Sequence, residues 1–226
     1  MNEKKMLKNL LFIPSSLLLL SVLYTILVKF VDVKAIGPNE SLVGFASVND
    51  VIKNKLMFNE FFYKFSQILG YLALLVCVFF IILGIIQLIK RKSLKKVDQY
   101  ILLLGIIYLV TIFLYLFFEV VVINYRPFLI GDGKLEASYP SSHTMLAIVV
   151  FVTAIIELKK IIKNPKLMLG IKIICYSLAF IMLVARTISG VHWFTDIFGG
   201  LLYSVCIVTL AYYLKLIIDI RSLKKI

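Results

Sequence analysis

The sequence predicts an all-α polytopic membrane protein with six transmembrane helices, and three observations predict it. Of the 226 residues, 62% are hydrophobic and the mean hydropathy is +1.01, which leaves too little polar surface for a soluble domain of this size. Apolar spans of membrane-crossing length recur along the chain. Basic residues concentrate between those spans, as expected for connections that remain on the cytoplasmic side.

The six spans are predicted at residues 9–30, 66–89, 99–123, 143–160, 167–188 and 193–217. Each is near the ~20 residues that a helix needs to cross ~30 Å of hydrocarbon. Lipid offers no hydrogen-bond partner to a backbone, so each span is expected to be helical. The first span is interpreted as a retained helix, because residues 33–35 form a poor cleavage site for a signal peptide. No repeat divides the chain, and residues 1–226 are predicted to form one domain.

The charge distribution predicts the orientation. Fifteen of the 25 lysines and arginines lie in four clusters: Lys4, Lys5 and Lys8; Lys90–Lys96; Lys159–Lys166; and Arg221, Lys224 and Lys225. The clusters precede span 1, separate spans 2 and 3 and spans 4 and 5, and follow span 6. Both termini are therefore expected to be cytoplasmic, in a multi-pass protein of the plasma membrane. Because the clusters flank apolar spans, the net charge of +13 does not indicate a nucleic-acid partner.

The connections on the opposite face are expected to carry the functional residues. Residues 31–65 form a long first loop, and its second half has apolar residues at helical spacing: Val48, Ile52, Leu56, Phe58, Phe62 and Phe65. This pattern predicts an interfacial helix, which could act as a lid or lipid gate or simply as a packing element. The second outer connection, 124–142, contains a predicted turn at residues 131–133.

The chain has only two histidines, and both lie beside polar residues at the outer ends of spans. Histidine suits proton transfer and nucleophilic attack near neutral pH. His192 is followed four residues later by Asp196, so the two share a helix face, and the carboxylate could hold one imidazole nitrogen as N–H. An aspartate in an apolar span is costly, which favours a functional role over a simple cap.

The second histidine, His143, opens span 4 directly after a proline and two serines. Ser141 and Ser142 stand where serines cap a helix, and backbone N–H groups at a helix start bind anions. Arg126 and Arg186 supply guanidinium groups that match phosphate oxygens in a bidentate manner. Each arginine alone fits a headgroup anchor. Together with both histidines, they predict a phosphate site on the extracytoplasmic face.

These residues resemble the type 2 phosphatidic acid phosphatases, which are integral-membrane lipid phosphate phosphatases related to acid phosphatases and haloperoxidases. The family signature has three parts: Lys-x6-Arg-Pro, Pro-Ser-Gly-His and Ser-Arg-x5-His-x3-Asp. Here they are matched in order and spacing by Glu119 to Arg126-Pro127, by 140–143, and by Ala185-Arg186 with His192 and Asp196. The resemblance implies a six-helix membrane fold with the site at the outer ends of spans 3 to 6.

The resemblance also implies a two-step reaction without metal or cofactor. His192 would attack phosphorus and form a phosphohistidine, with Asp196 orienting it. His143 would protonate the leaving oxygen and later activate water. The phosphoryl oxygens would be held by Arg126, Arg186, Ser141 and backbone amides, the amide of Ser142 among them.

The sequence departs from the signature at three positions: the family lysine is Glu119, the serine is Ala185 and the glycine is Ser142. Ser142 leaves the backbone N–H in place, whereas Ala185 removes one hydrogen-bond donor. Glu119 replaces a cation by an anion. The favoured interpretation is that Glu119 faces Arg126 and positions it; the alternatives are a protonated carboxyl, or a cationic partner on the substrate or the first loop. A narrowed substrate range is the associated hypothesis.

The leading prediction is a phosphatase acting on lipid phosphates or diphosphates, with undecaprenyl diphosphate, phosphatidate and phosphatidylglycerol phosphate as candidate substrates. A lipid phosphotransferase and a catalytically weakened lipid-phosphate binder remain open alternatives. Zinc or haem ligation by His143 and His192 is disfavoured, because the arginines would repel a cation. Membrane lipids are the expected partners, and the sequence leaves the oligomeric state open.

Overall fold

The structure is a computed structural model that describes residues 3–130 and 133–224, so residues 131 and 132 of the predicted turn lie outside the described part. The described residues form seven α-helices and no strand. The helices are α1 (Glu3–Phe30), α2 (Ala46–Leu56), α3 (Glu60–Arg91), α4 (Gln99–Val120), α5 (Ser142–Ile161), α6 (Pro165–Ile188) and α7 (Phe194–Leu223). The prediction of an all-α membrane protein is confirmed.

Five of these helices are long and apolar enough to cross a membrane: α1 from Met6, α3, α4, α6 and α7. The sixth predicted span, 143–160, corresponds to α5, which is not among the five. The count of six spans therefore stays a prediction. Helix α5 forms the centre of the bundle, and buried residues run along it from Thr144 to Glu157. Helices α3, α4, α6 and α7 all pack against it.

The first loop differs from its prediction in where the helices begin and end. Helix α2 stops at Leu56, and Met57 adopts a positive φ of 44°. A new helix then begins because the side chain of Asn59 caps it, accepting a hydrogen bond from the Phe62 amide at 3.1 Å. Phe62 and Phe65 therefore belong to α3 rather than to a separate interfacial helix.

Helix α1 is attached to the bundle through α7 and through the loop before α5. The hydroxyl of Thr25 lies 2.8 Å from the Tyr139 hydroxyl and 2.9 Å from the Tyr203 hydroxyl. Phe118 of α4 packs on both tyrosine rings, with centroid distances of 5.6 Å in each case. This aromatic cluster joins four segments at one end of the bundle, which is the end where the predicted site residues lie.

Candidate active site

His192 lies in the short connection between α6 and α7 and is 93% buried. The connection turns sharply at Gly190, whose φ of +69° is a backbone conformation that favours glycine. A Cβ at this position would also collide with the carbonyl of Met57, because the segment after α2 packs directly on the turn. The turn directs the His192 side chain inward, toward the ends of the neighbouring helices.

The two ring nitrogens of His192 have different partners, and these partners define the tautomer. Nδ1 lies 3.0 Å from the carbonyl oxygen of Ser138, which can only accept. Nε2 lies 2.7 Å from Nη2 of Arg186, which can only donate. Nδ1 must therefore carry the hydrogen, and Nε2 must present its lone pair. The ring is held neutral with the lone pair of Nε2 against a buried cation.

The electrostatic surroundings also favour the neutral imidazole. Burial lowers the pKa of His192 well below its ordinary value, because the charged form loses its hydration. The positive charges of Arg186 and Arg126, and that of His143 when protonated, lower the pKa of His192 further. The same interactions show that these groups lie within electrostatic range of one ring. The structure therefore brings together both histidines and both arginines.

Asp196 acts on His192 mainly through Ser138. Its carboxylate is completely buried and lies 3.9 Å from Nδ1, too far for a direct hydrogen bond. The carboxylate instead accepts a hydrogen bond from the Ser138 hydroxyl and others from the Asn124 amide at 3.1 Å and the Trp193 backbone N–H at 3.0 Å. Asp196 therefore fixes the position of the carbonyl that orients the imidazole, rather than orienting it directly.

Arg186 is completely buried at the end of α6. One terminal nitrogen donates to the Ser66 hydroxyl at 3.2 Å, and the guanidinium carbon lies 5.8 Å from the centre of the Tyr63 ring. Its Nε has no hydrogen-bond partner in the part of the chain that the structure describes. A buried N–H of this kind is costly unless an acceptor reaches it. Arg186 thus has donor capacity directed into the site.

Arg126 pairs with Glu136 and not with Glu119. Its Nε lies 2.9 Å from a Glu136 carboxylate oxygen, and its backbone N–H donates to the Glu136 carbonyl at 3.0 Å. Glu119 is exposed near the end of α4, where it interacts with Tyr115. The favoured interpretation of Glu119 as the residue that positions Arg126 is therefore wrong. The two ends of the second outer connection pair with each other, and the seven-residue spacing from Glu119 to Arg126 is interrupted where α4 ends.

His143 occupies the first turn of α5 and lies against the backbone of α3. A Cβ on Gly70 would be 2.7 Å from Cδ2 and 3.1 Å from Nε2 of the His143 ring. Nδ1 of the ring is buried and has no hydrogen-bond partner among the described residues. Glycine at position 70 therefore makes room for the imidazole. Sequence reasoning offered no signal for this contact, because Gly70 and His143 are more than 70 residues apart.

Ser141 and Ser142 play different structural parts. Ser141 is buried at the start of α5, where its hydroxyl lies 2.9 Å from that of Thr144 and its amide donates to the Asp196 carbonyl at 3.0 Å. It therefore connects α5 to α7 rather than capping the helix with its side chain. Ser142 and His143 lie at the end of an apolar groove between α3, α4 and α5. Ala185 is buried in the last turn of α6.

That groove has a volume of about 310 Å³ and is open to the side of the bundle. Its lining combines the two site residues with apolar and aromatic side chains: Gly70, Tyr71, Leu74, Thr111, Ile112, Tyr115, Met145 and Leu146. Tyr71, Leu74 and Ile112 are at least 47% exposed at the bundle surface. An alkyl chain could therefore pass from the bilayer to His143 without crossing polar surface.

The first loop braces the connection that carries His192. Asn49 of α2 is buried and makes two hydrogen bonds with Thr195. The Asn49 Nδ2 donates to the Thr195 hydroxyl at 3.0 Å, and the Thr195 backbone N–H donates to the Asn49 Oδ1 at 3.3 Å. The backbone N–H of Asn59 donates to the backbone carbonyl of Ser189 at 3.0 Å. The ammonium of Lys53 lies 5.2 Å from the centre of the Trp193 ring. The loop is thus a packing element of the site, and it adds one cation nearby.

Sequence reasoning missed Asn124, Ser138, Asn49 and Glu136. The first two had a weak signal, since each is a polar residue two positions before a predicted site motif, Arg126-Pro127 or Pro140. Asn49 had none, because its partner lies 146 residues away. Among the described residues no group of three histidine, cysteine or acidic side chains is placed to hold a metal ion.

The chain was compared with known proteins by sequence and by structure. A search of curated protein sequences finds no match. Among solved structures, the chain is similar to a transmembrane PAP2-type phosphatidylglycerolphosphate phosphatase from Bacillus subtilis. The two sequences are 22% identical, the match covers 88% of this chain and 94% of that chain, and the TM-score is 0.56. It also resembles LpxE from Aquifex aeolicus at 24% identity, over 73% of this chain and 93% of that chain, with a TM-score of 0.42.

The family comparison covers the part of the chain that holds the site. Residues 100–217 match the PAP2 superfamily, which is more than half of the 226 residues. The matched region begins in α4, ends in α7, and includes both histidines and both arginines. The arrangement of His192, Asp196, Arg186 and His143 occurs within this region. The chain therefore belongs to the PAP2 superfamily.

Proposed function

We propose that this protein is a metal-independent phosphatase that hydrolyses lipid phosphate or diphosphate monoesters through a phosphohistidine intermediate on His192. The observation that carries the proposal is the state of His192: a neutral ring whose Nε2 lone pair lies 2.7 Å from a buried guanidinium. A nucleophile next to a fixed cation is what phosphoryl transfer requires, because the cation stabilises the charge on the transferred oxygens.

In the first step, Nε2 of His192 attacks phosphorus and the bond from phosphorus to the leaving oxygen breaks. Arg186 turns its donors from Nε2 to the phosphoryl oxygens, and its partnerless Nε–H gains an acceptor. Arg126 and the amides at the start of α5 hold the remaining oxygens. The Nδ1–H of His192 stays on the Ser138 carbonyl and stabilises the ring as positive charge develops.

His143 completes the reaction. It takes up a proton when the anionic phosphate binds beside it and donates that proton to the leaving oxygen, so that the lipid alcohol, or the lipid monophosphate from a diphosphate, leaves with that oxygen protonated. The resulting free base then takes a proton from water, which attacks phosphorus. The bond from phosphorus to nitrogen breaks, which restores neutral His192, and inorganic phosphate leaves with the proton that His143 took from water.

Two features support a lipid substrate, and a third supports the side of the membrane on which it is hydrolysed. The groove between α3, α4 and α5 connects His143 to the lipid-facing surface. The chain belongs to the PAP2 superfamily, and the similar Bacillus subtilis protein is described as a phosphatidylglycerolphosphate phosphatase. The basic clusters lie on the connections opposite the site, so the positive-inside rule puts the reaction on the extracytoplasmic side.

The test is phosphate release by the purified protein in detergent with EDTA, using phosphatidate, phosphatidylglycerol phosphate and undecaprenyl diphosphate. We expect release from at least one lipid by the wild type and none by His192→Ala. Lys163→Gln is the matched control, since it changes a charge at the opposite end and should leave release intact. Loss of activity in EDTA, or activity that survives His192→Ala, would contradict the proposal.

Two further measurements separate the alternatives. Rapid quenching at alkaline pH with radiolabelled lipid should trap an acid-labile label on the wild type. His143→Asn should accumulate that label if it slows water attack more than lipid release. A phosphotransferase would release no inorganic phosphate without an acceptor, and would form a new phosphate ester when an acceptor alcohol is added. A lipid-phosphate binder would retain the lipid and release none under either condition.

A further inference from the structure

A second groove lies at the other end of the bundle, between α4 and α7. It has a volume of about 700 Å³ and is lined by Gln99, Leu102, Leu103, Ile106, Leu214, Ile217, Ile218, Arg221, Ser222 and Lys224. This volume lies within the ~300–1,000 Å³ typical of small-molecule sites. The groove is remote from His192, because Gln99 begins α4 and Arg221 lies in the last turn of α7, whereas the site lies at the opposite ends of both helices.

The lining residues are arranged as two facing stripes. On α4 the positions 99, 102, 103 and 106 follow helical spacing, and on α7 the positions 214, 217, 218 and 221 do the same. The apolar residues form the inner part of both stripes, and the polar ones, Gln99, Arg221, Ser222 and Lys224, lie at the mouth. Leu102 and Ile106 are 37% and 56% exposed, so the groove faces the membrane.

The opposite side of the same helix seam is closed. The Tyr100 hydroxyl donates to Asp219, and Lys215 pairs with Asp219 at 2.5 Å, so the only acidic side chain on this stretch of α7 is already engaged. Within residues 3–130 and 133–224, no acidic residue lines the groove. The net charge at its mouth is therefore positive, and it lies at the end of the bundle where the basic clusters lie.

We propose that the α4–α7 groove is a binding site for an anionic phospholipid, separate from the catalytic site. Its acyl chain lies along Leu102, Ile106 and Ile217, and its phosphate is held by the Arg221 guanidinium at the mouth. Basic pockets between transmembrane helices bind anionic headgroups in this manner. Two other grooves, between α3 and α4 and between α1 and α7, have no charged lining residue and offer contacts to acyl chains alone.

The proposal predicts selectivity by headgroup charge. The probe is a phosphatidylglycerol with a photoreactive group near the carbonyl end of one acyl chain, reconstituted with the full-length protein in nanodiscs of phosphatidylcholine. After irradiation, labelled peptides should map to 99–106 and 214–221. Excess unlabelled phosphatidylglycerol should compete, and excess phosphatidylcholine with the same chains should not.

Two variants and a control make the result specific. Arg221→Gln should lower labelling of this groove about fivefold, the factor expected for one basic group near an anionic headgroup. Ile217→Trp should lower it by filling the groove, with the charge unchanged. Lys163→Gln removes a charge from an exposed position on the same face and should leave labelling unchanged. The proposal would be overturned if labelling fell equally in Arg221→Gln and Lys163→Gln, or if both unlabelled lipids competed equally. Absence of label at 99–106 and 214–221 would overturn it as well.

Discussion

The carbonyl oxygen of Ser138 lies 3.0 Å from Nδ1 of His192, while the hydroxyl of the same serine donates to Asp196. One residue therefore transmits the position of the carboxylate to the imidazole. Two segments that are distant in sequence meet at this point: the loop before α5, and the connection that leads into the first turn of α7. The orientation of the proposed nucleophile depends on how well that loop is held.

Ser138→Ala tests this dependence. The substitution keeps the carbonyl but removes a hydrogen bond to a buried carboxylate, and such bonds contribute about 1.5–3 kcal/mol. We expect kcat to fall about tenfold with little change in KM, because the phosphate-binding groups are untouched. Ser204→Ala is the matched control, since Ser204 is equally buried but bonds only within α7. An equal effect of both substitutions would indicate a general packing defect.

Gly70→Ala tests the contact between α3 and His143. The added methyl group would lie 2.7 Å from Cδ2 of the ring and force it to move. We expect kcat to fall at least tenfold, because misplacement of an acid–base group by about 1 Å is costly. Gly105→Ala, in α4, meets no atom within 4 Å and should leave kcat unchanged. Circular dichroism should show the same helix content in both variants.

The protonation state of His192 can be measured directly, because the chain has only two histidines. A lowered pKa means that the ring stays neutral as pH falls through its ordinary range near ~6.5. In nitrogen-15 spectra of the ligand-free protein, we expect His192 to keep a protonated Nδ1 and an unprotonated Nε2 down to about pH 5.

His143→Asn assigns the His192 signal in those spectra, and titration of it near pH 6.5 would contradict the prediction. The same shift has a consequence for stability. An unfolded histidine takes up a proton below about pH 6.5 and the folded one does not, so folding becomes less favourable as pH falls below that value. Replacing His192 by Asn should reduce this dependence.

Glu119→Lys restores the family's charge at an exposed position. Because Arg126 pairs with Glu136, the change should not disturb the arginine, and kcat should stay within twofold of wild type. A cation near Tyr115 at the groove should lower the KM for an anionic lipid about threefold at low salt, and the gain should vanish at high salt as the charge is screened. A rise of kcat by orders of magnitude would mean that Glu119 lies closer to the phosphate than the structure indicates.

Ile112→Trp tests the groove between α3, α4 and α5. The larger side chain should obstruct an alkyl chain on its way to His143 and raise the KM for long-chain lipid phosphates. Hydrolysis of a small soluble phosphate ester should be unaffected. Ile85→Trp, at a similarly exposed position in the separate groove between α3 and α4, is the control and should change neither substrate's KM. Equal effects on both substrates would argue against this route.

The sequence predicted well what depends on periodicity and local spacing. All six predicted spans correspond to helices, and the motif residues converge because each lies at the end of such a span. What could not be predicted depends on contacts between residues that no regular spacing relates. No helical period relates the partners in three contacts: Asn49 with Thr195, Gly70 with His143, and Arg126 with Glu136. The error on Glu119 arose because helical spacing was extended past Val120, where α4 ends.

The hydrogen bond from Arg186 to Nε2 of His192 covers the reactive lone pair in the resting protein. A membrane presents each such site with a large excess of phosphodiester and uncharged headgroups. Uncovering the nitrogen requires a ligand that competes for the guanidinium, and a dianionic terminal phosphate competes far better than a singly charged or neutral group. Under the proposed mechanism, chemical inertness toward the bulk bilayer follows from the same arginine that we propose binds the reactant.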